Sequence, residues 1–152
     1  MAGNRVKKLM LALVFASGYF VIACGQQEAE KFDLELSKQK WNGPGLTWSE
    51  TDLRRLHNGE KLFLKKCSVC HKGDGRGDIN LGAPALPDSP LVNGQKSVLI
   101  QRILEGKTGT AMPAFAAALS DEEIAQLSTY LRNAWGNYAS DSVTAAEVEK
   151  LR

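Results

Sequence analysis

The chain has 152 residues, 43% hydrophobic and 24% charged, with 14 Gly, 5 Pro and 3 Cys. That composition excludes fibrous repeats and long disordered tracts, and the length allows one domain plus targeting or tethering segments rather than two cores. Nineteen Lys and Arg against seventeen Asp and Glu give a net charge of +2, too weak a field to argue for nucleic acid as a partner.

Residues 1–8 carry the cations Arg5, Lys7 and Lys8 with no acid near them, and without residues 1–23 the balance is 16 cations to 17 acids. Residues 9–23 then run uncharged from Leu9 to Ala23, and Cys24 follows at once. A basic head, an apolar stretch and a small residue at its end form the secretory pattern. The stretch is shorter than the roughly 20 residues that span a bilayer. Val21-Ile22-Ala23-Cys24 resembles a bacterial lipobox, so residues 1–23 are expected to be a signal peptide and Cys24 the lipidated first residue of the mature chain. Cleavage after Ala23 without lipid and retention of the segment as an anchor are the alternatives. Each one exports the domain.

Residues 24–50 are polar and irregular, with a turn at Asn42-Gly43-Pro44-Gly45, and read as a tether with a short helix near 28–40. A first strong helical pattern runs from about Ser49 or Thr51 to Lys66, with Leu53, Leu56, Phe63 and Leu64 on one side. A second covers Gln95–Glu105 with Val98, Leu99, Ile103 and Leu104, stopping at Gly106. A third starts at the capping box Ser120…Glu123 and runs to Trp135, apolar at 124, 127, 131, 134 and 135. A weaker helix is expected from Thr144, where Thr144…Glu147 repeats the capping pattern. No alternating run long enough for a sheet appears, so the fold is expected to be all-α, with a domain over 51–136 and a C-terminal extension over 137–152.

Loops 72–94 and 106–119 are rich in Gly and Pro. A small domain with that much irregular chain needs a staple or a large bound group to complete its interior. Cys67-Ser68-Val69-Cys70-His71 supplies the means. C-x-x-C-H is the attachment signature of c-type haem. On a helical turn two thiols three apart face the same way, each able to add to one porphyrin vinyl, and the next residue projects its imidazole at the iron. A dithiol or disulfide between Cys67 and Cys70 is one competing reading, though the βαβ context of a redox pair is missing. A zinc site is another and would need further ligands, for which only Cys24 and His57 remain.

Haem iron that carries electrons usually has two protein ligands. Past Cys24 the chain has a single methionine, Met112, 41 residues after His71 and followed by Pro113. Pro113 biases Met112 away from helical geometry, so the thioether is presented from extended chain. His57 is the competing ligand, and an open sixth position the remaining option.

With these residues in place, 52–136 resemble a class I monohaem cytochrome c, on the C-x-x-C-H, the Met112-Pro113 loop and the aromatic C-terminal helix Ser120–Trp135. The resemblance implies helices and long loops wrapped around one covalent haem c, with Cys67 and Cys70 attached and His71 and Met112 as axial ligands. It also implies that Gly59 crosses Tyr130 where the terminal helices meet, and that the Pro84 carbonyl accepts from the His71 Nδ1–H. By the same resemblance the protein is a one-electron carrier rather than an enzyme. It would be exported to the periplasmic face of a bacterial membrane and pass electrons to or from a dehydrogenase, an oxidase or another cytochrome. The same sequence would suit an electron-entry subunit of such a complex or, on an open iron, a haem enzyme or sensor. Trp41, Trp48 and Arg102 are candidates for the propionates.

Asp74-Gly-Arg-Gly-Asp78 reads as a solvated turn rather than a calcium loop. Residues 51–73 hold six cations (Arg54, Arg55, Lys61, Lys65, Lys66 and Lys72) against two acids, either an ordinary solvated face or a patch that steers an acidic partner. The lipobox reading has a direct test: palmitate labelling is expected to disappear in Cys24→Ala, and labelling that survives would refute it.

Overall fold

The computed structural model describes residues 31–152, which form one compact unit. The apolar N-terminal run and Cys24 lie outside the described residues. Seven α-helices appear among them: α1 Leu34–Trp41, α2 Glu50–Lys66, α3 Ser68–His71, α4 Pro90–Asn93, α5 Lys96–Glu105, α6 Asp121–Asn133 and α7 Ala145–Glu149. A 3₁₀ turn covers Ile79–Leu81. Extended pairing among the described residues is confined to two isolated bridges, Gly43 with Leu46 and Asp78 with Ala83. The fold is all-α.

Four of the helices start where a side chain satisfies orphan backbone donors. Asp33 caps α1 and Ser49 caps α2. Ser120 with Glu123 closes a full capping box on α6, and Thr144 with Glu147 closes another on α7. The Glu123 carboxyl is held below the usual range, first by the Ser120 backbone N–H and then by its hydroxyl.

The frame is the crossing of α2 and α6. Gly59 is buried at that crossing, and a Cβ there would overlap the Gln126 backbone and come within 2.7 Å of the Tyr130 Cβ. Only a residue without a side chain lets the two backbones approach so closely. Around the crossing the rings interlock: Phe63 lies 5.6 Å from Tyr130 and 4.8 Å from Trp135, and Tyr130 lies 5.2 Å from Trp135.

The structure departs from the sequence expectations at several points. Leu64 and Val98 are about half exposed, because α2 and α5 bury narrower stripes than their apolar residues suggest. The third helix ends at Asn133 rather than Trp135. Ala134 is extended and Trp135 takes a φ of 54°, which turns its ring back against Phe63, Tyr130 and the backbone of Gly75. Much of the segment expected as a tether is packed. Trp48 is buried with Leu53 and Leu56 in a cluster covered by Phe32, Leu34, Trp41 and Leu46.

Residues 137–152 are likewise part of the core, with Val143 and Val148 fully buried beside α6. Arg132, 5% exposed, fixes this return. It donates to both carboxylate oxygens of Asp141 at 2.8 and 2.9 Å and to the carbonyls of Val92 and Gly94 at 2.8 and 2.7 Å. Those bonds satisfy a guanidinium that burial would otherwise penalise heavily.

Gly59→Ala is expected to cost about 1–3 kcal/mol of stability, since neither neighbour at the crossing is a flexible side-chain end. Urea unfolding of the haem-loaded protein measures it; a loss under about 0.5 kcal/mol, the range of ordinary surface substitutions, would show that the crossing can open without strain.

Candidate functional site

The motif residues sit where α2 ends. Cys67 is the C-cap of α2 and the N-cap of α3, and its carbonyl accepts from the N–H groups of Cys70 and His71 at 3.1 and 2.9 Å. This single turn brings both thiols and the imidazole to one cavity. Neither cysteine is in a disulfide, and both are half-buried. Burial first, and the neighbouring Cys70 second, push the Cys67 thiol up to about 11. A thiol that stays protonated at neutral pH is a poor exchanging dithiol, which requires a thiolate. The zinc reading finds no group of three His, Cys, Asp or Glu among the described residues.

After His71 the chain doubles back through a tight loop. Gly77, at φ 77°, donates its N–H to the His71 carbonyl at 2.9 Å. A Cβ on Gly77 would collide with the Ala83 and Pro84 carbonyls, so this glycine admits the returning strand. Asp78 pairs with Lys72 at 2.8 Å and bridges to Ala83, and Arg76 stays exposed. The Asp74–Asp78 segment is a structural turn.

The return delivers Pro84, whose carbonyl lies 3.0 Å from His71 Nδ1. A carbonyl can only accept, so Nδ1 carries a proton, and in the neutral ring the lone pair is then on Nε2. That tautomer is the one a metal needs.

A further part of the lining comes from α5 and the loop after it. Phe115 and Ala116 donate backbone N–H groups to the Ile103 and Leu104 carbonyls, each at 3.1 Å, and Lys107 N–H bonds the Met112 carbonyl at 3.1 Å. This pinned loop sets Met112 on the same cavity as Cys67, Cys70, His71 and Pro84. Phe63, Leu99, Ile103, Leu127 and Leu131 make the walls apolar, around about 1180 Å³ of empty space open to solvent. Two thiols, an imidazole and a thioether around an apolar slot fit a covalently held haem. Arg102 also lines this cavity, whereas Trp41 and Trp48 line a different cleft. His57 does not reach it and stacks edge-on to Phe32 at 5.5 Å.

Sequence reading missed Asn137, which is 1% exposed. Its amide oxygen accepts from Asp88 N–H at 2.8 Å and Asn93 Nδ2 at 3.0 Å. Its amide nitrogen donates to the Leu86 carbonyl at 3.1 Å and the Leu131 carbonyl at 2.9 Å. Every hydrogen-bonding position it has is used to hold the Pro84–Asp88 loop against α6. Nothing in the local sequence signals this, because its loop partners lie 44 to 51 residues away.

Asn137→Ala is expected to cost about 2–3 kcal/mol through the backbone groups it strands. It should also accelerate hydrogen exchange at the Asp88 amide, while amides at the α2–α6 crossing stay protected. Unchanged exchange at Asp88 would show that the loop is held from elsewhere.

With the geometry in place, comparison with known proteins is direct. The family model for cytochrome c oxidase, cbb3-type, subunit III matches residues 54–131, just over half of the chain. The chain is 32% identical over 103 residues to the cytochrome c subunit of a quinone alcohol dehydrogenase from Gluconacetobacter polyoxogenes, covering 62% of this chain and 22% of that one. It is 34% identical over 79 residues to the cbb3-type oxidase subunit FixP of Bradyrhizobium diazoefficiens, covering 51% and 27%. It is 33% identical to cytochrome c6 of Diacronema lutheri over 78 residues, 50% of this chain and 92% of that one. The chain thus spans about a fifth to a quarter of the dehydrogenase and oxidase subunits and nearly all of the small cytochrome. It belongs to the cytochrome c oxidase, cbb3-type, subunit III family, and its described residues form an all-α fold.

Proposed function

We propose that Cys67 and Cys70 hold the haem by thioether bonds, that His71 and Met112 are its axial ligands, and that the protein relays single electrons between redox partners outside the cytoplasm. Bound haem supplies the one-electron Fe(III)/Fe(II) couple. The observation that carries this reading is the 3.0 Å contact of His71 Nδ1 with the Pro84 carbonyl, in a cavity that Met112 also lines. Pro84 fixes the ring orientation and makes Nε2 a stronger donor. The Met112 thioether favours the reduced state, and the apolar walls exclude water from the couple.

The redox partners are proposed to be a membrane dehydrogenase or a terminal oxidase, since relatives of this domain are named as subunits of both. The same names favour a second reading, in which the chain is the electron-entry subunit of such a complex. Its docking face is proposed to be the cavity mouth: Leu81, which is half exposed, lines the cavity together with Lys66 and Lys107, and Val69 and Ile79, close to the motif in sequence, are exposed. Cations around an apolar centre steer an acidic partner and let it desolvate the contact. Arg54, Arg55 and Lys72 of the expected basic patch pair with neighbouring acids and add less to that field. No helix among the described residues is long and apolar enough to cross a membrane. Anchoring through a lipid on Cys24 is the proposal for the N-terminus, at the periplasmic face of a bacterial membrane, and it rests on the sequence pattern.

Met112→Ala tests the ligand set. The haem stays attached, the reduced protein gains CO binding, and the midpoint potential falls by on the order of 100 mV or more, within the roughly 0.8 V that axial ligands span. An unchanged potential without CO binding would make Met112 a core residue and put the sixth ligand elsewhere.

A further inference from the structure

All three tryptophans of the chain and both described tyrosines line a second cleft, and none of them lines the cavity that holds His71. Trp41 and Trp48 come from the segment before α2, Tyr130 from α6, and Trp135 and Tyr138 from the return after it. The charged groups on the cleft are Glu60 and Lys40. The Lys40 ammonium sits 2.5 Å from the Glu60 carboxylate and 5.3 Å from the centre of the Trp41 ring. The Tyr130 phenol faces the same carboxylate, and burial first, then that charge, keeps it protonated far above its ordinary range.

We propose that this cleft is a binding site for an alkylammonium cation, with Lys40 as a tethered occupant that an external cation displaces. The contacts already made by Lys40 define the chemistry: a positive nitrogen over an indole face and against a carboxylate. Lys40 is 51% exposed along its side chain, whereas Glu60 is 26% exposed, so the lysine can swing into water while the carboxylate stays. Its departure leaves an aromatic cleft holding one unpaired negative charge.

The amide that lines the cleft is already engaged. The Asn133 amide nitrogen donates to the Thr129 and Asp141 carbonyls, and its oxygen accepts from the Ser140 N–H at 2.9 Å. The amide is spent; the Glu60 carboxylate is the cleft's one anionic group, and the rings with their phenol and indole tips and the Ser140 hydroxyl make up the other polar lining.

The test is a titration of tetramethylammonium chloride into the reduced haem-loaded protein, following its three indole N–H resonances by NMR. Sodium chloride and neutral neopentyl alcohol serve as controls. Saturable indole shifts are expected with tetramethylammonium alone. Lys40→Ala removes the competitor and should tighten binding by about threefold to tenfold, and Glu60→Gln should weaken it by a similar factor. Tyr138→Ala, at an exposed position on the rim, should also weaken binding and replaces Glu60→Gln if that variant does not fold. Equal shifts with the neutral alcohol, no saturation, or binding in Lys40→Ala that is unchanged or weaker would overturn the proposal. The Lys40–Glu60 pair would then be only a bridge between α1 and α2. The haem absorption spectrum is a separate readout, so failure here leaves the axial ligand assignment untouched.

Discussion

An imidazole can offer one nitrogen to a metal only if its proton is kept on the other, and the loop architecture of this protein serves that constraint. The Pro84 carbonyl must stand within hydrogen-bond reach of His71 Nδ1, 13 residues away, and it does so at 3.0 Å. Reaching it requires a reversal at Gly75–Gly77, a bridge from Asp78 to Ala83 and a bond from Leu86 N–H to the Gly75 carbonyl. None of these interactions is strong alone. Together they convert a floppy Gly-rich loop into the support for one proton position.

That support is anchored far from the motif. The indole of Trp135 lies over the Gly75 backbone, and the Asn137 amide clamps Leu86 and Asp88. Both residues follow α6, whose own position is set by the close crossing at Gly59 and by Arg132 gripping Asp141. The residues after α6 therefore work as a brace between the helical frame and the loop. The Met112 side of the cavity is tied down separately. Arg152 reaches the carbonyls of Ala116 and Leu119, and also pairs with Asp121 at 2.7 Å.

The aromatic residues divide the molecule into two environments. Phe63 is the hinge of that division, lining the cavity on one face and packing against Tyr130 and Trp135 on the other. Beyond it Tyr130 meets Trp41 edge-on at 5.9 Å, which fastens α1 to the frame. The cavity thus keeps walls largely of aliphatic side chains and phenylalanine, suited to a large apolar group, while the rings with polar tips gather around the second cleft.

What could be read from sequence was whatever depends on short spacing. Helix starts at Ser49, Ser120 and Thr144 follow from capping chemistry three residues long, and the C-x-x-C-H turn states its own geometry. The same holds for Met112, singled out because it is the only methionine past Cys24 and precedes a proline. Gly59, Tyr130 and Pro84 were legible only through family resemblance, since a glycine and an aromatic 71 positions apart carry no local mark of contact. Asn137, Arg132 and the backward turn of Trp135 were not legible at all. Their roles arise from hydrogen bonds and ring contacts across 9 to 72 residues, and any polar residue after a helix looks the same until the chain closes around it. The packing of residues 31–50 and 137–152 was not legible for the same reason. Polar, weakly periodic segments look dispensable in one dimension, and only packing decided that Trp48, Val143 and Val148 belong to the core.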